Sequence, residues 1–205
     1  MPTDSTSVLE SPRFSFFPTP LSGVWQVSRK AIGDARGYFS RFYCEVEFAT
    51  VGVQHSLVQI NHSLSRRLAT VRGLHFQHPP HAETKVVSCM AGRIFDVAVD
   101  IRRNSPTFLR WFGVELSAEN QQSLVIPAGF AHGYQTLSED AEVLYLVTAA
   151  YSADAEGGIN PFDPAVGIQW PLPAGEVSQR DSARPMLDRL EYAGVTLSDL
   201  DTSHD

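Results

Sequence analysis

Short apolar stretches separated by turn-forming residues dominate the pattern of this chain. In residues 93–101, Phe95, Val97 and Val99 fall on one side, and the residues between them, including Asp96, fall on the other. This period of two is typical of a β-strand. Clusters of Gly, Pro, Asn and Asp recur between such stretches. Many short strands with turns between them predict a β-sandwich or a small barrel.

Further strands are predicted at residues 85–90, 108–116, 124–126 and 142–151. A helical pattern stands out only at residues 185–190, where Pro185 would begin the helix and Gly194 would follow its end. The chain is therefore predicted to be a single domain over residues 1–205. Its core is expected at about 15–195, between a frayed N-terminus and a loose acidic C-terminus.

Composition narrows the class of protein. The chain has 205 residues, 43% hydrophobic and 19% charged, which is the balance of a globular protein. Its 23 acidic and 16 basic residues give a net charge of -7, which argues against binding to nucleic acid or to an anionic membrane. Only Lys30 and Lys85 are lysines, so a lysine within a motif is informative.

Cysteine content and hydropathy bear on the cellular location. Cys44 and Cys89 form no CxxC pair and are too few for a disulfide framework. Residues 1–13 are polar, unlike a signal peptide, and no stretch of eighteen apolar residues occurs. A cytoplasmic location is expected.

Histidines are the first candidates for chemistry. His75, His78 and His81 cluster before a turn at Gly92, and a P-x-G-x-x-H element ends at His132. This two-part layout is typical of a cupin barrel, in which such histidines often hold a metal.

The spacing of the three clustered histidines argues against a metal site. Gln77 occupies the position that shares a strand face with His75, where a second metal ligand is expected. His78 precedes Pro79-Pro80, which cannot continue a paired strand. We therefore expect His78 and His81 in an exposed loop, His75 in a strand, and no metal.

Several strings resemble the dTDP-4-dehydrorhamnose 3,5-epimerase family over most of residues 20–185. They are residues 71–77 (VRGLHFQ) with Pro79, Pro80 and Lys85, and then residues 95–103, 105–108, 126–133, 163–168 and 170–172. The resemblance implies an all-β cupin (jelly-roll) barrel with an N-terminal strand extension, working without a metal or an organic cofactor. It also implies a homodimer that exchanges N-terminal strands, with a nucleoside-diphosphate sugar as substrate.

The implied reaction inverts carbons C3 and C5 of a 4-keto-6-deoxyhexose. Both protons are alpha to the C4 carbonyl, so the reaction needs a base, a positive group near the developing enolate and an acid on the opposite sugar face. By resemblance His75 is the base, Asp181 orients it and Tyr145 is the proton donor.

The resemblance also assigns substrate contacts. Lys85 would stabilise the enolate or hold the diphosphate, and Arg72 would contact phosphate. The remaining expected contacts are Gln59, Asn61, His132, Tyr151 and Glu156.

One position departs from the family. The N-terminal element keeps Arg36 and Phe39, but Arg41 stands where the family has a glutamate that helps to hold the nucleotide base. Arginine is a fixed cation and cannot accept a hydrogen bond as glutamate does, so the identity of the nucleotide is left open. The alternative is that the Arg41 side chain turns outward and does not face the nucleotide.

Alternatives to double epimerisation remain. Related enzymes invert only C3 or C5, or move the ketone from C4 to C3, and pocket shape decides between these outcomes. A non-catalytic cupin that binds a nucleotide sugar or a metal is the alternative from another class of protein.

Overall fold

Residues 7–197 are described by the computed structural model, and most of the secondary structure in them is β-strand. The strands are β1 Leu9–Glu10, β2 Phe14–Pro18, β3 Trp25–Arg29, β4 Ile32–Asp34, β5 Gly37–Phe39, β6 Gln59–Ser65, β7 Val71–Gln77, β8 Lys85–Ala91, β9 Arg93–Asp100, β10 Trp111–Ser117, β11 Gln122–Ile126, β12 Phe130–Thr136, β13 Ala141–Val147 and β14 Glu156–Gly158. Two short α-helices, α1 Glu45–Ala49 and α2 Gln179–Ser182, and a 3₁₀ helix at Ala153–Ala155 lie among them.

Two antiparallel sheets face each other. One has the strand order β1-β2-β3-β11-β8-β13-β6, the other the order β10-β9-β12-β7-β14, and β4 and β5 form a separate hairpin. Ile94 and Ala98 of the five-stranded sheet pack between the sheets against Val87 and Val143 of the other. This arrangement confirms the predicted cupin jelly roll.

The outer face of each sheet is also covered. Val97 and Val99, which alternate with Ile94 and Ala98 along β9, pack with Ile159 and Trp170 from the C-terminal segment. On the other sheet, Phe48 of α1 packs among residues of the N-terminal strands. Because both faces of β9 are buried, its polar Asp96 needs an internal partner.

The helix predicted from Pro185 is wrong, because residues 185–190 contain no helix. The short helix α2 ends before them. Two tertiary contacts hold the segment instead: the Leu187 N–H donates to Asp163 Oδ2 at 2.5 Å, and the Arg189 guanidinium donates to the Ala165 carbonyl. Local helix propensity is weak compared with such anchoring.

Two predicted strands have wrong boundaries. The strand predicted from residue 108 begins at Trp111, because the Ser105 and Thr107 hydroxyls donate to buried Asp100 Oδ2 at 2.6 Å and hold a turn. The strand predicted to residue 151 ends at Val147. The strands predicted at 85–90, 93–101 and 124–126 are confirmed to within two residues at each end.

The predictions for the two ends of the chain concern residues 1–15 and 195–205. The prediction of a single domain over 1–205 stays a prediction, and the predicted frayed start and acidic end lie partly outside the described residues. Inside them, the core extends before residue 15, since β1 pairs with β2.

None of the helices in residues 7–197 has the length and apolar character to cross a membrane.

Candidate active site

His75 and Asp181 form a hydrogen-bonded pair beside the five-stranded sheet. His75 lies on β7, and its Nε2 is 2.7 Å from Oδ1 of Asp181 on α2. The Asp181 side chain is 4% exposed, whereas that of His75 is 39% exposed. The carboxylate is thus buried behind the imidazole, and the imidazole retains a face open to a ligand.

Gly73 allows β7 to lie close to both α2 and β12. The Gly73 N–H donates to Asp181 Oδ2 at 3.3 Å. Gly73 has φ +120°, and a Cβ there would lie 2.6 Å from Gly133 Cα on β12. A side chain at position 73 would therefore be strained and would also collide with β12. The Ser178 hydroxyl caps α2 by accepting from the Asp181 N–H, which fixes the carboxylate behind His75.

Opposing effects set the protonation of Asp181. Burial alone raises the pKa of this carboxyl, but the hydrogen bond and charge of His75, helped by Gly73 and Ser178, outweigh burial and lower the pKa below its ordinary value. Asp181 is therefore ionised at neutral pH and can stabilise a positive charge on the imidazole.

Tyr145 projects from β13 on the facing sheet. Its hydroxyl is 3.2 Å from Ser63 Oγ, which is also 3.3 Å from the hydroxyl of buried Tyr134. Burial, then the proximity of Tyr134, raises the pKa of Tyr145 well above its ordinary value. The phenol consequently keeps its proton at neutral pH, as a proton donor must.

His132 forms a second imidazole–carboxylate pair. Its Nε2 is 2.7 Å from Oδ1 of Asp96, and both residues are buried. On the paired strands β7 and β12, His132 lies opposite His75, and its ring is 6.0 Å from the Tyr145 ring, centroid to centroid. His132 thus lies between the base candidate and the donor candidate.

Lys85 is paired with a carboxylate at the edge of the same region. Its Nζ lies 3.1 Å from Glu83 Oε1 and 3.4 Å from the His75 carbonyl oxygen. Both Lys85 and Glu83 side chains are nearly buried. A cavity of about 210 Å³ is lined by Lys85, Glu83, Tyr145, Gln59, Asn61, Tyr151 and Val147.

The loop after β13 closes one side of this cavity. The Tyr151 hydroxyl donates to Glu156 Oε2 at 2.7 Å, and the Tyr151 N–H donates to Gln59 Oε1. Glu156 also pairs with Arg180, which directly precedes Asp181. The loop is therefore linked to the element that carries the orienting carboxylate.

The chain matches a known protein family over most of its length. The family model described as dTDP-4-dehydrorhamnose 3,5-epimerase matches residues 18–189.

The chain belongs to this family.

Relatives in the epimerase family cover most of the chain. The dTDP-4-dehydrorhamnose 3,5-epimerase of Salmonella typhimurium is 49% identical over 175 residues, which are 83% of this chain and 94% of that protein. A dTDP-6-deoxy-D-glucose-3,5-epimerase from Legionella pneumophila, crystallised with dTDP-4-keto-L-rhamnose, is 38% identical with a TM-score of 0.81, covering 84% of this chain and 92% of that one.

A third relative is named a 3-epimerase and not a 3,5-epimerase. The dTDP-4-dehydrorhamnose 3-epimerase of Streptomyces niveus is 35% identical over 179 residues, or 87% of this chain and 86% of that protein. Membership of the epimerase family makes this protein an enzyme of the isomerase class.

Residues expected from the family resemblance divide into two groups in the structure. Those around the cavity and the His75–Asp181 pair are described above. Arg36 and Phe39 lie instead on the β4–β5 hairpin, where Arg36 pairs with Asp34 and the Phe39 side chain is exposed. Within residues 7–197, neither Arg36 nor Phe39 lines the cavity beside Tyr145.

Arg41 and Arg72 are both exposed. Arg41 Nη1 lies 3.7 Å from Glu47 Oε2 on α1, so its charge is directed towards a carboxylate of the same chain. Arg72 donates to the Leu64 carbonyl at 3.2 Å, at the rim beside β6.

His78 and His81 are exposed, which confirms their predicted loop position. Among the residues described by the structure, no group of three His, Cys, Asp or Glu side chains comes together in a way that could hold a metal ion.

Three residues of the site were not identified from the sequence. Asp96, Ser63 and Glu83 contact His132, Tyr145 and Lys85, respectively. Of these three, Asp96 could have been identified from the sequence, because an aspartate between Ile94 and Ala98 on a buried strand face requires a hydrogen-bonding partner.

Proposed function

We propose that the protein epimerises a nucleoside-diphosphate-linked 4-keto-6-deoxyhexose at C3 and C5, with His75 as the base. The observation that carries this proposal is the 2.7 Å hydrogen bond from half-exposed His75 to buried, ionised Asp181. A histidine oriented by a carboxylate in this way is suited to act as a general base.

Proton transfer begins at the imidazole. With Nε2 hydrogen-bonded to Asp181, Nε2 carries the proton and Nδ1 keeps the lone pair. Nδ1 accepts the proton at C3 or C5, and the C–H electron pair moves towards the C4 carbonyl to give an enolate. Asp181 then faces an imidazolium, and their opposite charges stabilise this state.

Tyr145 completes the inversion. Its protonated phenol donates to the carbon from the face opposite His75, and Ser63 orients the hydroxyl at 3.2 Å. The sheet arrangement supports opposite faces, because His75 is on β7 of one sheet and Tyr145 is on β13 of the other. Lys85 supplies positive charge for the enolate oxygen or the diphosphate.

Substrate contacts follow the rim of the cavity. Gln59, Asn61 and Tyr151 line it and can hydrogen-bond the sugar. Arg72 at the rim suits a phosphate, because a guanidinium binds phosphate oxygens in a fork. Glu156 orients Tyr151, and the imidazole of His132 packs against the donor ring.

A homodimer would complete the nucleotide site. The β4–β5 hairpin presents exposed Tyr38 and Phe39 with Arg36, and none of the three lines the cavity beside Tyr145. Exchange of N-terminal segments would place Arg36 and Phe39 against the partner's nucleotide.

The relatives named above act on dTDP sugars. We propose a dTDP sugar as the substrate here too, because the guanidinium of Arg41 is already paired with Glu47 of the same chain. A cytoplasmic location stays a prediction.

Proton exchange tests the proposal directly. Purified protein is incubated with dTDP-4-keto-6-deoxyglucose in deuterated water, and NMR follows the C3 and C5 signals. Exchange at both carbons with formation of the inverted sugar is expected. Absence of exchange at both carbons, with this and with other nucleotide-linked keto sugars, would overturn the proposal.

The same measurement separates the second candidate function. The 3-epimerase of Streptomyces niveus is 35% identical to this chain, so inversion at one carbon is the alternative. Exchange confined to C3 or to C5 would identify a mono-epimerase.

A further inference from the structure

Four side-chain hydroxyl groups form a continuous hydrogen-bonded network inside the barrel. The Tyr134 hydroxyl lies at its centre, 3.0 Å from Ser65 Oγ and 3.3 Å from Ser63 Oγ. Ser63 Oγ in turn lies 3.2 Å from the hydroxyl of Tyr145, the proposed proton donor. This hydroxyl network, Ser65–Tyr134–Ser63–Tyr145, therefore joins the interior of the protein to a residue that lines the cavity.

The hydroxyl network is buried at one end and open at the other. Tyr134 is 1% exposed and Ser65 is 3% exposed, whereas Ser63 and Tyr145 are partly exposed. Neither Tyr134 nor Ser65 lines the cavity that contains Tyr145. Any effect of these two residues on a bound sugar therefore passes through Ser63 or Tyr145.

Burial fixes the direction of donation at the inner end. A hydroxyl carries one proton and so donates one hydrogen bond. Among the described residues, the Ser65 hydroxyl has no hydrogen-bond partner other than Tyr134. Ser65 therefore donates to Tyr134, because a buried hydroxyl proton without an acceptor is costly. Tyr134 must then direct its own proton towards the open end, where Ser63 Oγ is within hydrogen-bond distance and the Tyr145 hydroxyl is close.

The proposed reaction, on which this inference rests, fixes the direction at the open end. When Tyr145 protonates the sugar carbon, its O–H bond breaks and the electron pair of the enolate forms the C–H bond. The tyrosine is then a phenolate and has no proton to donate, so the Ser63 hydroxyl must donate to the phenolate oxygen. Exchange with water afterwards removes the proton from the His75 imidazolium and returns one to the phenolate, which closes the cycle.

A phenolate at this position needs stabilisation. Burial and then the proximity of Tyr134 raise the pKa of Tyr145, while the hydrogen bond with Ser63 lowers it. The burial that keeps the proton on Tyr145 before the reaction therefore opposes its release during the reaction. A hydroxyl that already points at the phenolic oxygen stabilises the developing charge without rearranging.

We propose that the hydroxyls of Ser65, Tyr134 and Ser63 donate in that order towards Tyr145 and stabilise its phenolate as it protonates the sugar. Ser63 acts on the phenolate oxygen itself. Tyr134 is a positioning residue that orients and polarises the Ser63 hydroxyl, because hydrogen bonds in a row strengthen one another. The hydroxyl network thus serves proton delivery by Tyr145 and not proton abstraction by His75.

The ratio of inversion to deuterium exchange tests this role. In deuterated water, His75 can abstract a proton and return a deuteron to the same face, which gives exchange without inversion. Delivery by Tyr145 gives inversion. With dTDP-4-keto-6-deoxyglucose, Ser63→Ala is expected to lower the ratio about tenfold or more, because a charge-assisted hydrogen bond is lost. A wild-type ratio in Ser63→Ala would overturn the inference.

The Tyr134 hydroxyl is tested by Tyr134→Phe, which keeps the buried ring and remains informative if Ser63→Ala does not fold. The ratio should fall about threefold, because Ser63 loses the donor that polarises it. Since Tyr134 acts through Ser63, the double variant should have the same ratio as Ser63→Ala alone. Losses that multiply in the double variant would contradict the positioning role of Tyr134. A purely structural role would lower exchange and inversion together, leave the ratio unchanged and overturn the inference.

Ser88→Ala is the matched control. Ser88 Oγ lies 2.6 Å from Ser123 Oγ in another buried hydroxyl pair. Ser88 alternates along β8 with Val87 and Cys89 of the core between the sheets, so it lies on the other face of its sheet. Its ratio should equal that of the wild type, and a lowered ratio would show that loss of any buried hydroxyl disturbs the site, which would overturn the inference.

The outcomes distinguish this inference from the proposed function. Absence of exchange at C3 and C5 in the wild-type protein would overturn the proposed function and this inference with it. Exchange and inversion by the wild type, with an unchanged ratio in Ser63→Ala and Tyr134→Phe, would overturn this inference alone. Circular dichroism verifies that each variant is folded.

Discussion

His75 Nε2 and Asp181 Oδ1 lie 2.7 Å apart although 106 residues separate them in the chain. The contact joins strand β7 to the short helix α2, and the Gly73 N–H holds the other carboxylate oxygen. A buried carboxylate behind a half-exposed imidazole is suited to general-base catalysis, because the imidazolium formed by proton abstraction meets a fixed negative charge.

Replacing either member of this pair should abolish or severely reduce turnover. We expect His75→Asn and Asp181→Asn to lower kcat by about 10²–10⁴-fold, the usual contribution of general-base catalysis. Steady-state kinetics with dTDP-4-keto-6-deoxyglucose measure the effect, and circular dichroism checks the fold. His78→Asn is the matched control, because His78 is exposed and directly follows the same strand. Turnover of His75→Asn at the wild-type rate would exclude His75 as the base.

Removal of the Tyr145 hydroxyl should separate the two proton transfers. In Tyr145→Phe, His75 can still abstract a proton, so deuterium exchange should persist while completed inversion falls by about 10²-fold or more. NMR in deuterated water reports both quantities. Tyr192→Phe is the control, since Tyr192 is partly buried and its buried hydroxyl has no partner among the described residues. Product formation at the normal rate in Tyr145→Phe would assign the donor role elsewhere.

The two lysines of the chain allow a controlled test of charge. Lys85→Gln should lower kcat and raise KM for the nucleotide sugar, because it removes the cation beside the cavity. Lys30→Gln removes the other lysine, which pairs with Glu10 on the surface, and should leave both parameters unchanged. Equal behaviour of the two variants in steady-state kinetics would argue against a role for Lys85.

Mixing of inactive variants tests the exchanged hairpin. If Arg36 of one protomer serves the site of its partner, His75→Asn and Arg36→Ala chains unfolded and refolded together should form mixed dimers that each contain one intact site. Random pairing in a two-fold dimer then restores about a quarter of wild-type activity, provided each variant alone is inactive. Light scattering verifies the dimer. Mixtures no more active than the separate variants would mean that the hairpin serves its own chain.

Asp100 should make stability depend on pH. Burial raises the pKa of this carboxyl, but hydrogen bonds from Arg102, Ser105 and Thr107 outweigh burial and lower it. Since the pKa is lower in the folded state than in the unfolded state, ionised Asp100 stabilises the fold above its ordinary value of 3.8, and this contribution is lost as the pH falls through the folded pKa.

The corresponding variant is Asp100→Asn. It should lower the free energy of unfolding by about 2 kcal/mol at pH 7 and by less at pH 3, measured by urea unfolding. Asp154→Asn is the control, because Asp154 is exposed. A destabilisation of Asp100→Asn that is equal at the two pH values would show that the ionised carboxylate is not the stabilising form.

Much of the fold followed from local patterns. The alternation of Ile94, Asp96 and Ala98 with Phe95, Val97 and Val99 predicted β9, because a strand places successive side chains on opposite faces. Pro79 and Pro80 predicted a loop for His78, because proline cannot donate to a paired strand. The motif residues His75, Tyr145 and Lys85 could be identified by resemblance alone.

What the sequence could not determine depended on contacts between distant residues. The pattern at 185–190 favoured a helix, but hydrogen bonds to Asp163 and Ala165 from Leu187 and Arg189 hold that segment in another form. The start of β10 moved because of a nearer contact, in which buried Asp100 holds the turn before that strand.

The sequence by itself determined the residue types and the strand periodicity, because both depend on near neighbours in the chain. Tertiary structure alone decided that Asp96 would face His132 and that Asp181 would lie behind His75. It also left Arg29 buried without an acidic partner in residues 7–197. These pairings depend on which side chains the folded strands and α2 bring within about 3–4 Å, the range over which hydrogen bonds and ion pairs act, and no local pattern encodes that distance.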